Sequence, residues 1–178
     1  MRAVHARDLD LNLLPVEHRR KLLLLCDMDS TVITIECIDE IADFAGVKAE
    51  VSAITEAAMR GELDFQASLR KRVACLEGLS TKVLAEVYAE RLKPSPGLAE
   101  LMAHANKNGV KTLLVSGGFT YFTERMRQRF GYTWTRANTL AEHDGRLTGK
   151  VCGAIVDSVE KERLLRFFAS TLPEIGRA

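Results

Sequence analysis

The chain has 178 residues, of which 47% are hydrophobic and 28% are charged, and its net charge is +1. This composition supports one sizeable core, or a core domain with a small accessory domain, and the interspersed charges lack the basic stripe of nucleic-acid-binding proteins. The longest apolar run, residues 22–26, is far shorter than the roughly 20 residues of a membrane helix, and no signal-peptide region is evident, so we expect a cytoplasmic protein with neither a membrane nor a nucleic-acid partner.

The first 26 residues divide into a polar stretch and an apolar strand. Residues 1–20 are charged, contain Pro15 and lack clean periodicity, which is typical of a leader or linker. Residues 22–26 (LLLLC) follow without any polar alternation. Such a run predicts a strand that is buried on both faces of a parallel sheet.

A block of helices is predicted after this strand. Apolar residues recur at i, i+3, i+4 and i+7 from Ile38, and Gly46 is placed to end that helix. A second helix extends to Gly61, and Asp64 and Ser80 are candidate N-caps of two more. The Pro-rich and Gly-rich residues 93–97 end the block and form the best internal boundary.

The second half alternates between strands and helices. A helix at 98–109 precedes the strand VKTLLV at 110–115, and a further helix ends at Gly131 before the third strand at 132–139. Asp144-Gly145 predicts a two-residue hairpin, and a last helix covers 159–172. This order predicts an α/β fold with a parallel sheet, in which ligands bind beyond the carboxyl ends of the strands.

Two aspartates, Asp27 and Asp29, follow the first strand. On extended backbone their side chains point the same way, and at about 4 Å with an effective dielectric constant of about 20 they repel by on the order of 4 kcal/mol. A phosphate dianion nearby would increase this repulsion and Mg²⁺ would offset it, and an aspartate can attack phosphorus. The alternative interpretation is an Asp-rich turn that caps the following helix.

Three further features are candidates for binding an anion. Ser116-Gly117-Gly118 follows the second strand, where a hydroxyl and main-chain N–H groups can bind a phosphoryl oxygen, although the same residues also form tight turns. Arg72 and Lys161 each lie within the apolar stripe of a predicted helix. Either one needs an anion on a buried face, and the alternatives are a structural ion pair or a side chain that reaches solvent at the rim.

Four segments together resemble a known family: CDMDSTVITIECIDEIADFAG, ITEAAMRGELDFQASLRKRV, VSGGFTYF and RANTLAEHDGRLTG. They resemble the phosphoserine phosphatases of the haloacid dehalogenase-like (HAD) superfamily over roughly residues 20–168. The resemblance implies a Rossmann-like core at 21–35 and 95–178 and an inserted helical cap at 36–94. It also implies Mg²⁺-dependent hydrolysis of O-phospho-L-serine to L-serine and phosphate, a step of L-serine biosynthesis.

The resemblance also implies chemical roles for the aspartate pair. Asp27 corresponds to the nucleophile that forms an aspartyl-phosphate, and Asp29 corresponds to the proton donor and acceptor. Mg²⁺ would be held by the Asp27 side chain and the Asp29 main-chain carbonyl.

Five other positions correspond to binding residues of the family. Glu36, which periodicity alone does not single out, corresponds to the residue that binds the amino group of the substrate, and Arg72 to the one that binds its carboxylate. Ser116 and Gly117 correspond to the phosphate-binding loop. Lys161 corresponds to the lysine that offsets charge on the transferring phosphoryl group.

The family pattern continues with a strand that ends in GDGxND, and this segment is not found before Ala178. We therefore expect a truncated or frame-shifted core in which the first strand has an open edge. Neither Asp144 nor Asp157 matches the missing aspartate. The alternatives to a phosphatase are an inactive fragment, a non-catalytic phosphoserine-binding module and a related phosphotransferase, and the residues say nothing about the oligomeric state.

Overall fold

A computed structural model describes residue 13 and residues 21–171 of the protein. Its four-stranded sheet has the order β1-β2-β3-β4, in which β1, β2 and β3 are parallel and β4 is antiparallel to β3. The strands are β1 Leu23–Cys26, β2 Lys111–Phe119, β3 Trp134–His143 and β4 Arg146–Cys152. The predicted α/β class with a mainly parallel sheet is confirmed.

Seven α-helices lie in the described part of the chain, and none is long and apolar enough to cross a membrane. They are α1 Cys37–Ala45, α2 Lys48–Met59, α3 Phe65–Ala74, α4 Lys82–Glu86, α5 Leu98–Lys107, α6 Thr120–Phe130 and α7 Ser158–Thr171. Two π-helical turns accompany them: Met28–Val32 follows β1, and Val87–Arg91 continues α4.

Most of the predicted helix ends and turns are confirmed. Gly46 ends α1 in the left-handed conformation with φ 71°, and the Asp64 carboxylate caps α3 by accepting from the Ala67 N–H at 2.7 Å. Asp144 and Gly145 both have positive φ, as the two-residue hairpin turn between β3 and β4 requires. The predicted cap residue Ser80 accepts from the Lys82 N–H at the start of α4, at 3.4 Å, and also forms an isolated β-bridge with Arg146.

The first strand has the expected open edge among the described residues, but it differs from the fully buried strand that its apolar run predicts. Leu23, Leu24 and Leu25 are only half-buried, because among the described residues β1 pairs with β2 alone and forms an edge of the sheet. Each face of β1 nevertheless packs on apolar neighbours: Leu24 on the main core, and Leu23 and Leu25 on a smaller cluster that includes Leu164 of α7.

The parallel register of β1 and β2 sets the place of the site. Cys26 is opposite Leu114, so the aspartates after β1 and the Ser116 segment of β2 lie at the same end of the sheet. The predicted leader at 1–20, apart from Leu13, and the last residues of the predicted core, 172–178, lie outside the described residues. The division into a core and a cap at 36–94 stays a prediction.

Candidate active site

A cavity of about 340 Å³ lies at the carboxyl ends of β1 and β2. All the predicted site residues except Ser116 line it: Asp27, Asp29, Glu36, Arg72, Gly117 and Lys161. Ser116 lies directly behind this lining, because its hydroxyl donates to the Asp29 carboxylate at 3.0 Å. The structure therefore brings together residues that the sequence separates by more than a hundred positions.

The two carboxylates divide their oxygens between the main chain and the cavity. One oxygen of Asp27 accepts from the Met28 N–H at 2.8 Å, and one oxygen of Asp29 accepts from the Cys37 N–H at 3.0 Å. The second oxygen of Asp27 accepts from the Lys161 ammonium at 2.6 Å, and that of Asp29 from the Ser116 hydroxyl. The interpretation of this motif as a cap of the following helix is thus correct for one oxygen of Asp29, which reaches the first residue of α1, and not for Asp27.

The backbone between the aspartates and α1 forms a tight turn. Asp29 is extended (φ −63°, ψ 135°), Ser30 is left-handed with φ 52°, and the Ile33 N–H donates to the Met28 carbonyl at 3.1 Å. This turn brings the Ser30 hydroxyl to the Glu36 carboxylate, to which it donates at 2.6 Å. The position of Glu36 at the cavity therefore depends on this turn.

The Ser116 segment differs in form from the predicted loop. Strand β2 continues as extended backbone through Phe119, with a shift of register against β3 between Val115 and Phe119. A Cβ atom at Gly118 would lie 2.5 Å from an Asp29 carboxylate oxygen, and one at Gly117 would lie 2.8 Å from the Phe65 ring. Gly118 therefore requires glycine, because hydrogen bonds hold the Asp29 carboxylate in place, whereas a side chain at Gly117 would need the 43% exposed Phe65 ring to move aside.

Arg72 is half-buried on α3, and its Nε atom is buried without a hydrogen-bond partner. No ion pair in the described part of the chain includes it, so the predicted alternative of a structural ion pair does not apply there. Burial lowers the pKa of the Arg72 guanidinium, and the charges of Asp39, Glu36 and Asp29 oppose this shift. A charged fork that faces a cavity in this way suits a planar anion such as a carboxylate.

The pKa of the Glu36 carboxyl group is shifted upward, whereas that of Arg72 is shifted downward. The Glu36 side chain keeps contact with solvent, but surrounding protein atoms displace part of its hydration and raise the pKa of its carboxyl group. The hydrogen bond from Ser30 lowers the pKa, whereas the charges of Asp29 and Asp39 raise it further. A positively charged ligand group would relieve this repulsion.

The structure adds two polar residues that the sequence analysis did not select. Asn138 of β3 is 1% exposed, and its amide donates to the Gly117 carbonyl and accepts from the Val156 N–H, both at 2.8 Å. Asp157, which lines the cavity, accepts from the Gln66 side chain at 2.8 Å. The only signal for Asn138 was an asparagine inside a predicted strand, where this residue is depleted.

The donor set is compatible with Mg²⁺. The described residues contain no group of three His, Cys, Asp or Glu side chains that could hold a metal ion. Mg²⁺, however, is often bound by only one or two carboxylates and completes its shell with waters and substrate phosphate. The cavity-facing oxygen of Asp27, which a cation already contacts, meets this requirement.

Comparisons with a family model and with individual proteins indicate the same family. The sequence-family model of the haloacid dehalogenase-like hydrolases matches residues 24–171 of this chain. A phosphoserine phosphatase of Polaromonas sp. is 54% identical over 148 residues, which are 80% of this chain and 63% of the relative. The chain therefore spans less than two thirds of the length of that relative.

Solved structures show the same fold. A probable phosphoserine phosphatase from Vibrio cholerae, in an unliganded form, has a TM-score of 0.75 and 44% identity, and the match covers 84% of this chain and 46% of that one. A phospho-aspartyl intermediate analogue of phosphoserine phosphatase has a TM-score of 0.76 and 38% identity, with 86% of this chain and 73% of that chain covered.

Proposed function

We propose that this chain, which belongs to the haloacid dehalogenase-like hydrolase family, hydrolyses O-phospho-L-serine to L-serine and phosphate with the help of Mg²⁺. The observation that carries the proposal is the charge distribution of the cavity: the Arg72 guanidinium, which forms no ion pair with another described residue, the Glu36 carboxylate and the Asp27–Lys161 pair all face it. These groups complement the carboxylate, the ammonium and the phosphate of phosphoserine. The names of the matched relatives support the same substrate.

Asp27 is the nucleophile in this proposal. Its carboxylate attacks phosphorus, an Asp27–phosphoryl bond forms, and the bond from phosphorus to the serine oxygen breaks. Asp29 gives a proton to the departing serine alkoxide and later removes one from the water that cleaves the intermediate and releases phosphate. The Lys161 ammonium, 2.6 Å from Asp27, offsets the negative charge that develops on the phosphoryl oxygens.

Binding of the rest of the substrate uses the other cavity residues. The Arg72 fork holds the substrate carboxylate, Glu36 holds its ammonium, and Ser116 and Gly117 bind a phosphoryl oxygen. The predicted cap at 36–94 excludes water during the first displacement. Two contacts support its closure over the cavity: the Phe65 ring adjoins Gly117, and Gln66 donates to Asp157.

Mg²⁺ belongs to this proposal, as do a role in L-serine biosynthesis and a cytoplasmic location. The Asp27 carboxylate and the Asp29 main-chain carbonyl would hold the ion. When bound, it supplies positive charge that offsets the repulsion between the carboxylates and the phosphate.

Phosphate release from O-phospho-L-serine, measured with Mg²⁺ and with EDTA in its place, tests the proposal. We expect turnover with Mg²⁺ that EDTA abolishes. Binding of phosphoserine without turnover would favour a non-catalytic module, and transfer of phosphate to an added alcohol in preference to water would favour a phosphotransferase. Either result contradicts the proposal.

The raised pKa of Glu36 predicts a pH dependence. The ionised carboxylate binds the ammonium, so KM for phosphoserine should rise as pH falls through this raised pKa, which lies above the ordinary value of 4.5. Glu36→Gln should raise KM and remove this pH limb. Since ionisation is disfavoured in the folded state, the contribution of Glu36 to stability is complete below its ordinary pKa and lost as pH rises through the raised one.

Steady-state kinetics and urea unfolding between about pH 4 and 8 measure both effects. Glu86→Gln, at an exposed position, is the matched control and should leave both profiles unchanged. The same acid limb in Glu36→Gln as in the unaltered chain would assign that titration to another group.

Gly118→Ala is predicted to inactivate the site. The new methyl group would lie 2.5 Å from the Asp29 carboxylate and 3.0 Å from the Ser116 hydroxyl, so both must shift. We expect kcat to fall by roughly 100-fold or more, because small misplacements of catalytic groups have effects of this size. Gly61→Ala is the control: nothing lies within 4 Å of its new methyl group, and its φ of +78° costs about 1–2 kcal/mol of stability without affecting kcat. Equal kcat values for the two variants would contradict the prediction.

A further inference from the structure

The Asn138 side chain bridges two main-chain segments that border the cavity. Its amide nitrogen donates to the Gly117 carbonyl and its amide oxygen accepts from the Val156 N–H, each at 2.8 Å. The side chain is only 1% exposed, so water does not substitute for either partner without rearrangement. A planar group with one donor and one acceptor is needed here, and an asparagine amide supplies both.

The hydrogen bond from Asn138 to the Gly117 carbonyl fixes the carbonyl side of the Gly117–Gly118 peptide. The Gly117–Gly118 peptide presents its oxygen to Asn138, and its N–H, on Gly118, donates to the Ser116 hydroxyl at 2.8 Å. Both polar atoms of the peptide are therefore engaged. Its orientation is set by Asn138 on one side and by Ser116 on the other.

The second hydrogen bond holds the entrance to α7. Val156 precedes Asp157, whose carboxylate accepts from the Glu160 N–H at 3.0 Å and so caps the first turn of the helix. Lys161 lies in that turn and reaches Asp27 at 2.6 Å. A shift of Val156 would therefore move the base of the helix that carries the Lys161 ammonium.

We propose that Asn138 is a positioning residue, which fixes the Gly117–Gly118 peptide relative to the start of α7. The Ser116 segment and Lys161 then act on the same phosphoryl group. This inference rests on the proposed function, since it assigns a phosphoryl group to the space between these two elements. Asn138 itself touches no reacting atom in this assignment.

Asn138→Asp is the test variant, because it conserves size and the acceptor for Val156 but replaces the donor to Gly117 with a second acceptor. Thr112→Val is the matched control. Thr112 is also fully buried on β2 and joins the start of that strand to Thr133 at the other end of the sheet, where its hydroxyl accepts from the Thr133 N–H at 2.9 Å. Thr112→Val loses this hydrogen bond and the 3.4 Å contact between the two threonine hydroxyls, whereas Asn138→Asp loses the hydrogen bond to Gly117. Both losses are buried, but only the bond to Gly117 lies at the cavity.

Titrations of the full chain with inorganic phosphate and, separately, with L-serine separate positioning from general damage. We expect Asn138→Asp to weaken phosphate binding roughly 10- to 100-fold and to change L-serine binding by less than about threefold. Thr112→Val should change neither. Phosphate affinity within about twofold of the unaltered chain, or equal weakening for both ligands, would overturn the inference.

Hydrogen exchange of the Gly118 amide provides a measurement that needs no ligand. We expect this proton to exchange at least about tenfold faster in Asn138→Asp and at the unaltered rate in Thr112→Val. An unchanged rate in Asn138→Asp would also overturn the inference. If that variant does not fold, Asn138→Ser, which is smaller and uncharged, replaces it with the same expected outcomes.

Different results would contradict the proposed hydrolase function and the positioning role of Asn138. A chain that binds phosphate but does not hydrolyse phosphoserine would contradict the hydrolase assignment, whereas the ratio of phosphate affinities between Asn138→Asp and Thr112→Val would still measure the positioning. Should the unaltered chain bind no phosphate, the exchange rate of the Gly118 amide decides whether the peptide is held by Asn138.

Discussion

Asp27→Asn is expected to reduce turnover of O-phospho-L-serine by a factor on the order of 10⁴ or more, because an amide oxygen is too weak a nucleophile to form the phosphoryl intermediate. The substitution preserves the size of the side chain and leaves an oxygen that still accepts from Lys161 or the Met28 N–H. Phosphate release under saturating substrate and Mg²⁺ measures the effect. Mass spectrometry of the trapped enzyme should show a phosphoryl adduct in the unaltered chain only.

Asp144→Asn is the matched control for this substitution. Asp144 lies in the exposed β3–β4 turn with a φ of 48°, a conformation that asparagine adopts readily. The control should retain full turnover. Residual activity of Asp27→Asn within about tenfold of the unaltered rate would exclude Asp27 as the nucleophile and leave the motif as a helix-capping turn.

Arg72→Met is expected to raise KM for phosphoserine by roughly 10²–10³-fold with a smaller change in kcat. Removal of one partner of a desolvated charge pair typically costs about 2–5 kcal/mol of binding, and here the lost pair would be formed between the guanidinium and the substrate carboxylate. A phosphate monoester without a carboxylate, such as phosphoethanolamine, should lose almost nothing. This comparison of two substrates assigns the effect to the carboxylate.

The same variant should be at least as stable as the unaltered chain. Burial lowers the pKa of Arg72 and its Nε atom has no hydrogen-bond partner in the described part of the chain, so the free protein bears a desolvation cost that methionine avoids. Replacement of buried charges by apolar side chains of similar volume is often neutral or stabilising by about 1–4 kcal/mol. Urea unfolding of the ligand-free chain measures the difference.

Arg70→Met provides the control on the exposed face of the same helix. It removes the same charge from α3 and should alter neither KM nor stability by a measurable amount. A loss of stability in Arg72→Met together with an unchanged KM would identify Arg72 as part of a structural charge network with Asp39 and Glu36. In that case the guanidinium would not be the site of carboxylate binding.

Local patterns were sufficient to predict most of the secondary structure. The apolar period from Ile38, the end of α1 at Gly46 and the Asp144-Gly145 turn depend on interactions within a few residues, which a sequence displays directly. Strand ends and helix periodicity selected six of the seven candidate residues and the family resemblance added Glu36, and the structure gathers them around one cavity. Their chemical roles stay predictions.

Long-range packing decided the features that were predicted incorrectly or not at all. The apolar run at β1 predicts a strand buried on both faces, but among the described residues β1 pairs with β2 alone and its leucines are half-buried. The partners of Asn138 lie 21 and 18 residues away, and Gln66 lies 91 residues from Asp157. No local pattern specifies such pairs.

The sequence by itself determined the elements, the α/β class and the identity of the charged residues, because helix caps, turns and apolar periods are short-range properties. Only the tertiary structure decided which charged groups are paired: Asp27 contacts Lys161, 134 residues away, whereas the buried Nε of Arg72 has no hydrogen-bond partner among the described residues. The physical reason is that desolvation and Coulomb energy depend on distances in space, which are established only when β1, β2, α3 and α7 meet.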